Sequence, residues 1–163
     1  MNALIRPASV DDISAIVEIE NKTNQMPWST AQFLSSMEVG HYSSVMHEEN
    51  NILGFAIYSP IIPESHLLSI AIDPAHQGRG LGDKLLQQII LQNKTIGVKM
   101  ISLEVRVSNL PAINLYEKRG FHKDAIRPNY YSGSPKEDAL LMSLKIYVRE
   151  FFVTQIQLQT HHL

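Results

Sequence analysis

The chain contains no cysteine among its 163 residues. That absence removes a disulfide scaffold, a thiolate nucleophile and thiolate metal ligation, so catalysis must rest on other groups. An excess of charge of one sign is also missing: 14 Lys and Arg stand against 16 Asp and Glu, a net charge of −2. No general field draws the protein to nucleic acid, and any basic contact surface has to be local. Nowhere is there an apolar run of about 18 residues, the length that a membrane span needs. Residues 1–12 carry Arg6, Pro7 and two aspartates where a leader segment would be apolar. The expectation is a cytoplasmic protein with no membrane association. Internal repeats and low-complexity tracts are absent too, and the length and 44% apolar content suit one domain with its own core.

What is present alternates between strand and helix patterns. Ala3 to Arg6 reads as a short strand, and Ser9 with Asp12 opens a helix carrying Ile13, Ile16, Val17 and Ile19 to Glu20 at helical spacing. Ser29 after Pro27 and Trp28 can cap a second helix through Phe33, Leu34 and Met37. Val45 to Glu48 and Ile52 to Tyr58 form a hairpin pattern, and a further strand, Ser65 to Ile72, follows a loop at Pro60 to Pro63. Leu81, Leu85, Leu86, Ile89 and Ile90 line one face of a helix ending near Asn93 to Gly97. After a strand over Met100 to Val105, Pro111 starts a helix through Tyr116, with Gly120 as its terminator. Phe121 to Tyr131 and Ala139 to Ile146 close the chain as a hairpin. This β-α-α-β-β-β-α-β-α-β-β order predicts an α/β fold, a mixed sheet with helices on both faces.

The run Gln77-Gly78-Arg79-Gly80-Leu81-Gly82 lies between strand and helix. Its glycines let successive N–H groups turn toward one point, and the helix N-terminus adds unsatisfied donors and a positive dipole end. The pattern suits a diphosphate, though alone it also describes an ordinary strand-to-helix turn. No Gly-Lys-Ser/Thr follows, as a P-loop requires, and no acidic ribose-binding residue follows as in dinucleotide sites. What remains resembles the Gln/Arg-x-x-Gly-x-Gly/Ala signature of the GNAT acyltransferases.

A second stretch narrows the resemblance. Leu103-Glu104-Val105-Arg106-Val107-Ser108-Asn109 precedes Ala112-Ile113-Asn114-Leu115-Tyr116, which runs on to Gly120-Phe121. Both are similar to motifs of the RimI family of GNAT N-acetyltransferases, as are Met26 to Ser29, Ile70 to Pro74, Arg127 to Tyr131 and Glu137 to Ala139. The similarity spans about residues 3–146, which delimits a GNAT domain over 1–146 and a C-terminal extension of unknown role over 147–163. Pro128 departs from the pattern, since a second basic residue often stands there in the family.

The resemblance implies acetyl-CoA as co-substrate and the N-terminal alanine of ribosomal protein bS18 as acceptor. Ile70, Ala71 and Ile72 would offer backbone groups to pantetheine. Gly78, Arg79, Gly80, Leu81, Gly82 and Asp83 would surround the diphosphate, mainly through main-chain N–H groups. Asp83 also reads as a helix first-turn residue, whose charge suits the dipole but repels phosphate.

Glu104 alternates with Leu103 and Val105, so its carboxylate points away from theirs. The family pattern makes it the general base, directly or through one water; an ion pair with Arg106 is the plain alternative. Tyr116 would be the acid or hydrogen-bond donor to the thiolate, against a role as a core tyrosine. Asn109 could bind the cofactor or cap the following helix. Trp28, Glu64, Arg127, Tyr130 and Tyr131 are candidates for the acceptor groove. The histidines, His66 and His76 included, show no metal-ligand spacing, so no metal is expected.

An α-amine with pKa about 8 is roughly one-tenth neutral at pH 7, against about 1 in 2,000 for lysine, so a modest base suffices for a protein N-terminus. Other acceptors, or a noncatalytic acyl-CoA-binding module, are the competing readings, and oligomeric state is not legible.

Overall fold

The computed structural model describes residues 2–147. The expected extension therefore lies outside the described residues, except for Tyr147. Seven strands form one sheet: β1 (Leu4–Pro7), β2 (Tyr42–Glu48), β3 (Asn51–Ile61), β4 (Glu64–Ile72), β5 (Met100–Arg106), β6 (His122–Tyr131) and β7 (Glu137–Lys145). Their spatial order is β1-β2-β3-β4-β5-β7-β6. Every neighbouring pair is antiparallel except β4 and β5. The four helices are α1 (Ile13–Thr23), α2 (Thr30–Glu38), α3 (Leu81–Thr95) and α4 (Leu110–Lys118). The mixed sheet and its flanking helices match the expected fold class.

Local chemistry accounts for the element ends. The Ser9–Asp12 capping box opens a 3-10 turn, Val10–Asp12, that runs into α1. A bidentate Arg6–Asp12 pair, 2.8 Å for each bond, ties this turn back to β1. Ser29 and Gln32 form a second reciprocal box at the start of α2. Pro60 and Ile61 belong to β3 rather than to the expected loop, so the β3–β4 turn is tighter than the prolines suggested.

Burial divides by face. Phe55 and Ile57 of β3 pack with Ile13, Ile16 and Ile19 of α1 and Phe33 of α2. Ala56 and Tyr58, their alternates, pack with Leu85, Leu86 and Ile89 of α3. A strand covered on both sides reads as a continuous apolar run, which is why Leu53 to Tyr58 are all buried.

Two irregularities open the middle of the sheet. The β3–β4 register slips between Ile57 and Tyr58, leaving Leu68 as an extra residue in β4. Parallel pairing of β4 with β5 covers only Glu64↔Met100, Ser65↔Ile101 and His66↔Ser102. Beyond His66 the two strands part, and β4 runs on from Leu67 to Ile72 without a partner on that side.

Candidate active site

The parting of β4 and β5 opens a cleft of about 1130 Å³. That exceeds the ~300–1,000 Å³ usual for one small ligand and leaves room for two substrates to meet. One wall is the free edge of β4, where Ile70, Ala71 and Ile72 all line the opening. The Gln77 amide donates to the Ile72 carbonyl at 3.0 Å and pins the end of this edge to the glycine turn.

The floor is the turn itself. Gly78 and Gly80 have φ of +79° and +74°, the left-handed region that glycine enters without a Cβ penalty. A Cβ placed on either would meet nothing within 4 Å, so the space over the turn is open. Gly80 is the N-cap of α3, and the first N–H groups of that helix lack intrahelical partners. Open space, exposed donors and a helix dipole fit a diphosphate, and the adjoining strand edge fits the amide-rich arm of acetyl-CoA.

The side chains of three expected ligands have partners within the protein. The Arg79 guanidinium turns away to Glu48, at 2.6 Å, and to His76 Nδ1, at 3.2 Å. Glu48 lies 31 residues earlier on β2, a partner beyond any local pattern. The Asp83 carboxylate is held by Arg119 through two 2.5 Å bonds and by Lys118 at 3.6 Å. Hydrogen bonding to Arg119 keeps Asp83 below its ordinary carboxylate pKa. It clamps the start of α3 to the end of α4, and what it can offer an anion is its main-chain N–H. Asn109 caps α4, its Oδ1 accepting from Ala112 N at 3.3 Å, while still lining the cleft.

Glu104 and Tyr116 face the same cleft. The expected competitor for Glu104 is engaged elsewhere, since Arg106 pairs with Glu137 at 3.3 Å. Instead Glu104 Oε2 lies 2.6 Å from His66 Nε2, and His66 Nδ1 lies 3.1 Å from Ser102 Oγ. Tyr116 is buried at 7% exposure and packs against Phe121 with the rings tilted at 54°. Burial, with a smaller contribution from nearby Tyr131, raises its phenol well above the ordinary value.

Of the groove candidates, Trp28, Tyr130 and Tyr131 line the cleft. Burial pushes the Tyr131 phenol up to about 12, and the Arg106 guanidinium lies 4.2 Å over its ring. Two groove candidates fall elsewhere. Glu64 starts β4, at the paired end of the strand and away from the cleft. Arg127, on exposed β6, stacks over Tyr130 at 5.2 Å rather than lining the opening.

Two cleft residues escaped the sequence reading. His66 was weighed only as a metal ligand, and its contact with Glu104 becomes visible only through the β4–β5 register. Glu20 lines the cleft at 2% exposure with Oε2 unpaired, and desolvation raises its pKa. Its only signal was an acid at the end of an otherwise apolar helix face. Among the described residues no group of three or more His, Asp or Glu side chains could hold a metal ion, and no helix is long and apolar enough to cross a membrane.

A glycine-turned anion cradle beside a half-paired strand, with a carboxylate and a phenol facing it, suits acyl transfer from a CoA thioester. Residues 13–121 match the acetyltransferase (GNAT) family. The ribosomal protein bS18-alanine N-acetyltransferase of Salmonella typhimurium is 38% identical over 85% of this chain and 94% of its own length. The crystal structure of the ribosomal-protein-S18-alanine N-acetyltransferase from Escherichia coli superposes with a TM-score of 0.85 at 34% identity, covering 93% of this chain and 99% of that one. Ard1 from Thermoplasma volcanium follows with a TM-score of 0.84 at 25% identity, covering 91% and 100%. The chain belongs to the GNAT acetyltransferases and, within them, to the RimI family.

Proposed function

We propose that this protein, in a domain spanning residues 1–146, transfers acetyl from acetyl-CoA to the N-terminal α-amine of ribosomal protein bS18, whose first residue is alanine, in the cytoplasm. The observation that carries this reading is the convergence of Glu104 and Tyr116 on the cleft that also holds the free β4 edge and the glycine cradle. The 38% identity to a bS18-alanine N-acetyltransferase over nearly its whole length supports the choice of acceptor.

Bound acetyl-CoA supplies an activated acyl carbon and a thiolate leaving group. Glu104 takes the proton that the amine must lose, and an acceptor with pKa about 8 asks only a modest base for it. Tyr116, on the wall of the same cleft, would serve the departing thiolate. Burial raises its phenol above the ordinary value, which favours a shared hydrogen bond over full transfer of the proton. Tyr116 therefore keeps its proton and stabilises the thiolate as a hydrogen-bond donor. Trp28, Tyr130 and Tyr131 flank the peptide.

The test is acetyl-CoA turnover with a peptide carrying the bS18 N-terminus, its α-blocked form and a lysine-containing control, with the modified nitrogen located by mass spectrometry. Acetyl is expected on the free α-amine alone. Glu104→Gln lowers kcat by about 100-fold or more, and Tyr116→Phe lowers it by about 10-fold. Acetylation of lysine in preference to the α-amine would overturn the assigned acceptor, and full activity in Glu104→Gln would overturn the assigned base.

A further inference from the structure

Ser102, His66 and Glu104 form a row at the last paired rung before β4 and β5 separate. The register sets His66 opposite Ser102, and alternation puts Ser102 and Glu104 on one side of β5. The imidazole spans the two, with Nδ1 3.1 Å from Ser102 Oγ and Nε2 2.6 Å from Glu104 Oε2.

The donors and acceptors follow from chemistry. An ionised carboxylate has only lone pairs, so a 2.6 Å contact requires a proton on Nε2. When the imidazole is neutral its one N–H is then on Nε2, and Nδ1 accepts from the Ser102 hydroxyl. Oε2 of Glu104 is thereby committed to the ring. Among the described residues Oε1 accepts no hydrogen bond, and it belongs to a side chain lining the cleft. Glu20, Lys22, Tyr116, Tyr130 and Tyr131 line the same cleft, and so does Arg106, whose charge is matched by Glu137 of β7.

We propose that His66 is a positioning residue for acetyl transfer: its Nε2–H clamps Oε2 of Glu104 and leaves Oε1 for the acceptor amine, while Ser102 fixes the ring tautomer. This rests on the reading of Glu104 as the base. The clamp removes a rotational freedom from the carboxylate and gives its two oxygens separate tasks.

Steady-state kinetics on the full chain with the bS18 N-terminal peptide test it through His66→Ala, His66→Gln, Glu104→Gln and the His66→Ala/Glu104→Gln double variant. Loss of a hydrogen bond to a charged group predicts a kcat for His66→Ala about 10- to 100-fold down, with KM for acetyl-CoA unchanged. The glutamine amide also donates an N–H, so His66→Gln is expected to recover to within about 3-fold of wild type. A residue acting only through Glu104 adds no further loss in the Glu104→Gln background. Wild-type kcat in His66→Ala alongside an impaired Glu104→Gln would overturn the clamp and leave the base standing. Additive losses in the double variant, or no rescue by glutamine, would overturn it as well. Wild-type kcat in Glu104→Gln would instead remove the base on which the proposal rests.

Discussion

Gly54 of β3 faces Ile72 at the end of the free β4 edge proposed to hold acetyl-CoA, and replacing it with alanine tests how that edge is held. A Cβ at Gly54 would sit 2.5 Å from Ile72 Cδ1 and 2.6 Å from the Ala71 carbonyl oxygen. The isoleucine methyl can rotate aside; the carbonyl is backbone and cannot. Real Cβ contacts stop near 3.0 Å, so β4 must move by roughly 0.4 Å at Ala71, one of the residues lining the cleft. Overpacking of this kind costs about 1–3 kcal/mol. For a chain of this size the unfolding midpoint falls by about 2–12 °C. Weakening one backbone hydrogen bond to the cofactor raises the CoA dissociation constant by about 3- to 10-fold. Thermal unfolding and calorimetric titration with CoA measure the two effects. Gly82→Ala is the control for melting alone, because its Cβ meets Ile72 Cγ1 and Leu115 Cδ2 at an ordinary 3.7 Å and gains up to about 1 kcal/mol of helix propensity. A Gly54→Ala protein with wild-type melting and wild-type CoA affinity would refute the reasoning.

Gly80→Ala forces an alanine to φ +74°, which costs about 1–2 kcal/mol and tightens or distorts the turn ahead of α3. Melting is expected to fall by about 2–8 °C, with weaker CoA binding in the same preparation. The Arg6–Asp12 pair gives an acid limb to stability, since hydrogen bonding to Arg6 holds Asp12 at about 2, below the ordinary 3.8. A depressed carboxylate stabilises the fold fully above 3.8, and the contribution disappears as pH falls through 2. The Arg6 side chain is 42% exposed, and discounting for solvent screening leaves about 1 kcal/mol. Urea midpoints at pH 5 and pH 2.5 should show the gap between wild type and Asp12→Asn closing at the lower pH.

Much of the architecture was legible because its causes are local. Ser9 and Ser29 cap where their side chains allow, Leu81 to Ile90 repeat at helical spacing, and Glu104 interrupts an apolar alternation that can point only one way. The glycines of the cradle announce themselves by residue type. What escaped depends on partners distant in sequence. Nothing near Arg79 indicates that Glu48 takes its guanidinium, and nothing near Asp83 indicates Arg119. Glu64 was placed at the groove mouth because a strand pattern carries no direction relative to its neighbours; pairing with Met100 puts it at the closed end. His66 fits no motif, and only the register that aligns it with Ser102 brings it to Glu104. The extra residue at Leu68 leaves no compositional mark.

The short pairing of β4 with β5 also has a thermodynamic side. Three rungs join the two halves of the sheet before the strands part, so the unpaired edge from Leu67 to Ile72 is the natural place for local opening. An acyl-CoA arm laid along it, as proposed, would act as the missing strand, and its binding energy would become folding energy. At CoA a hundredfold above its dissociation constant the folded state gains about 2.7 kcal/mol. Amide exchange at residues 67–72 should slow most, which makes the substrate a reversible splint for the sheet that binds it.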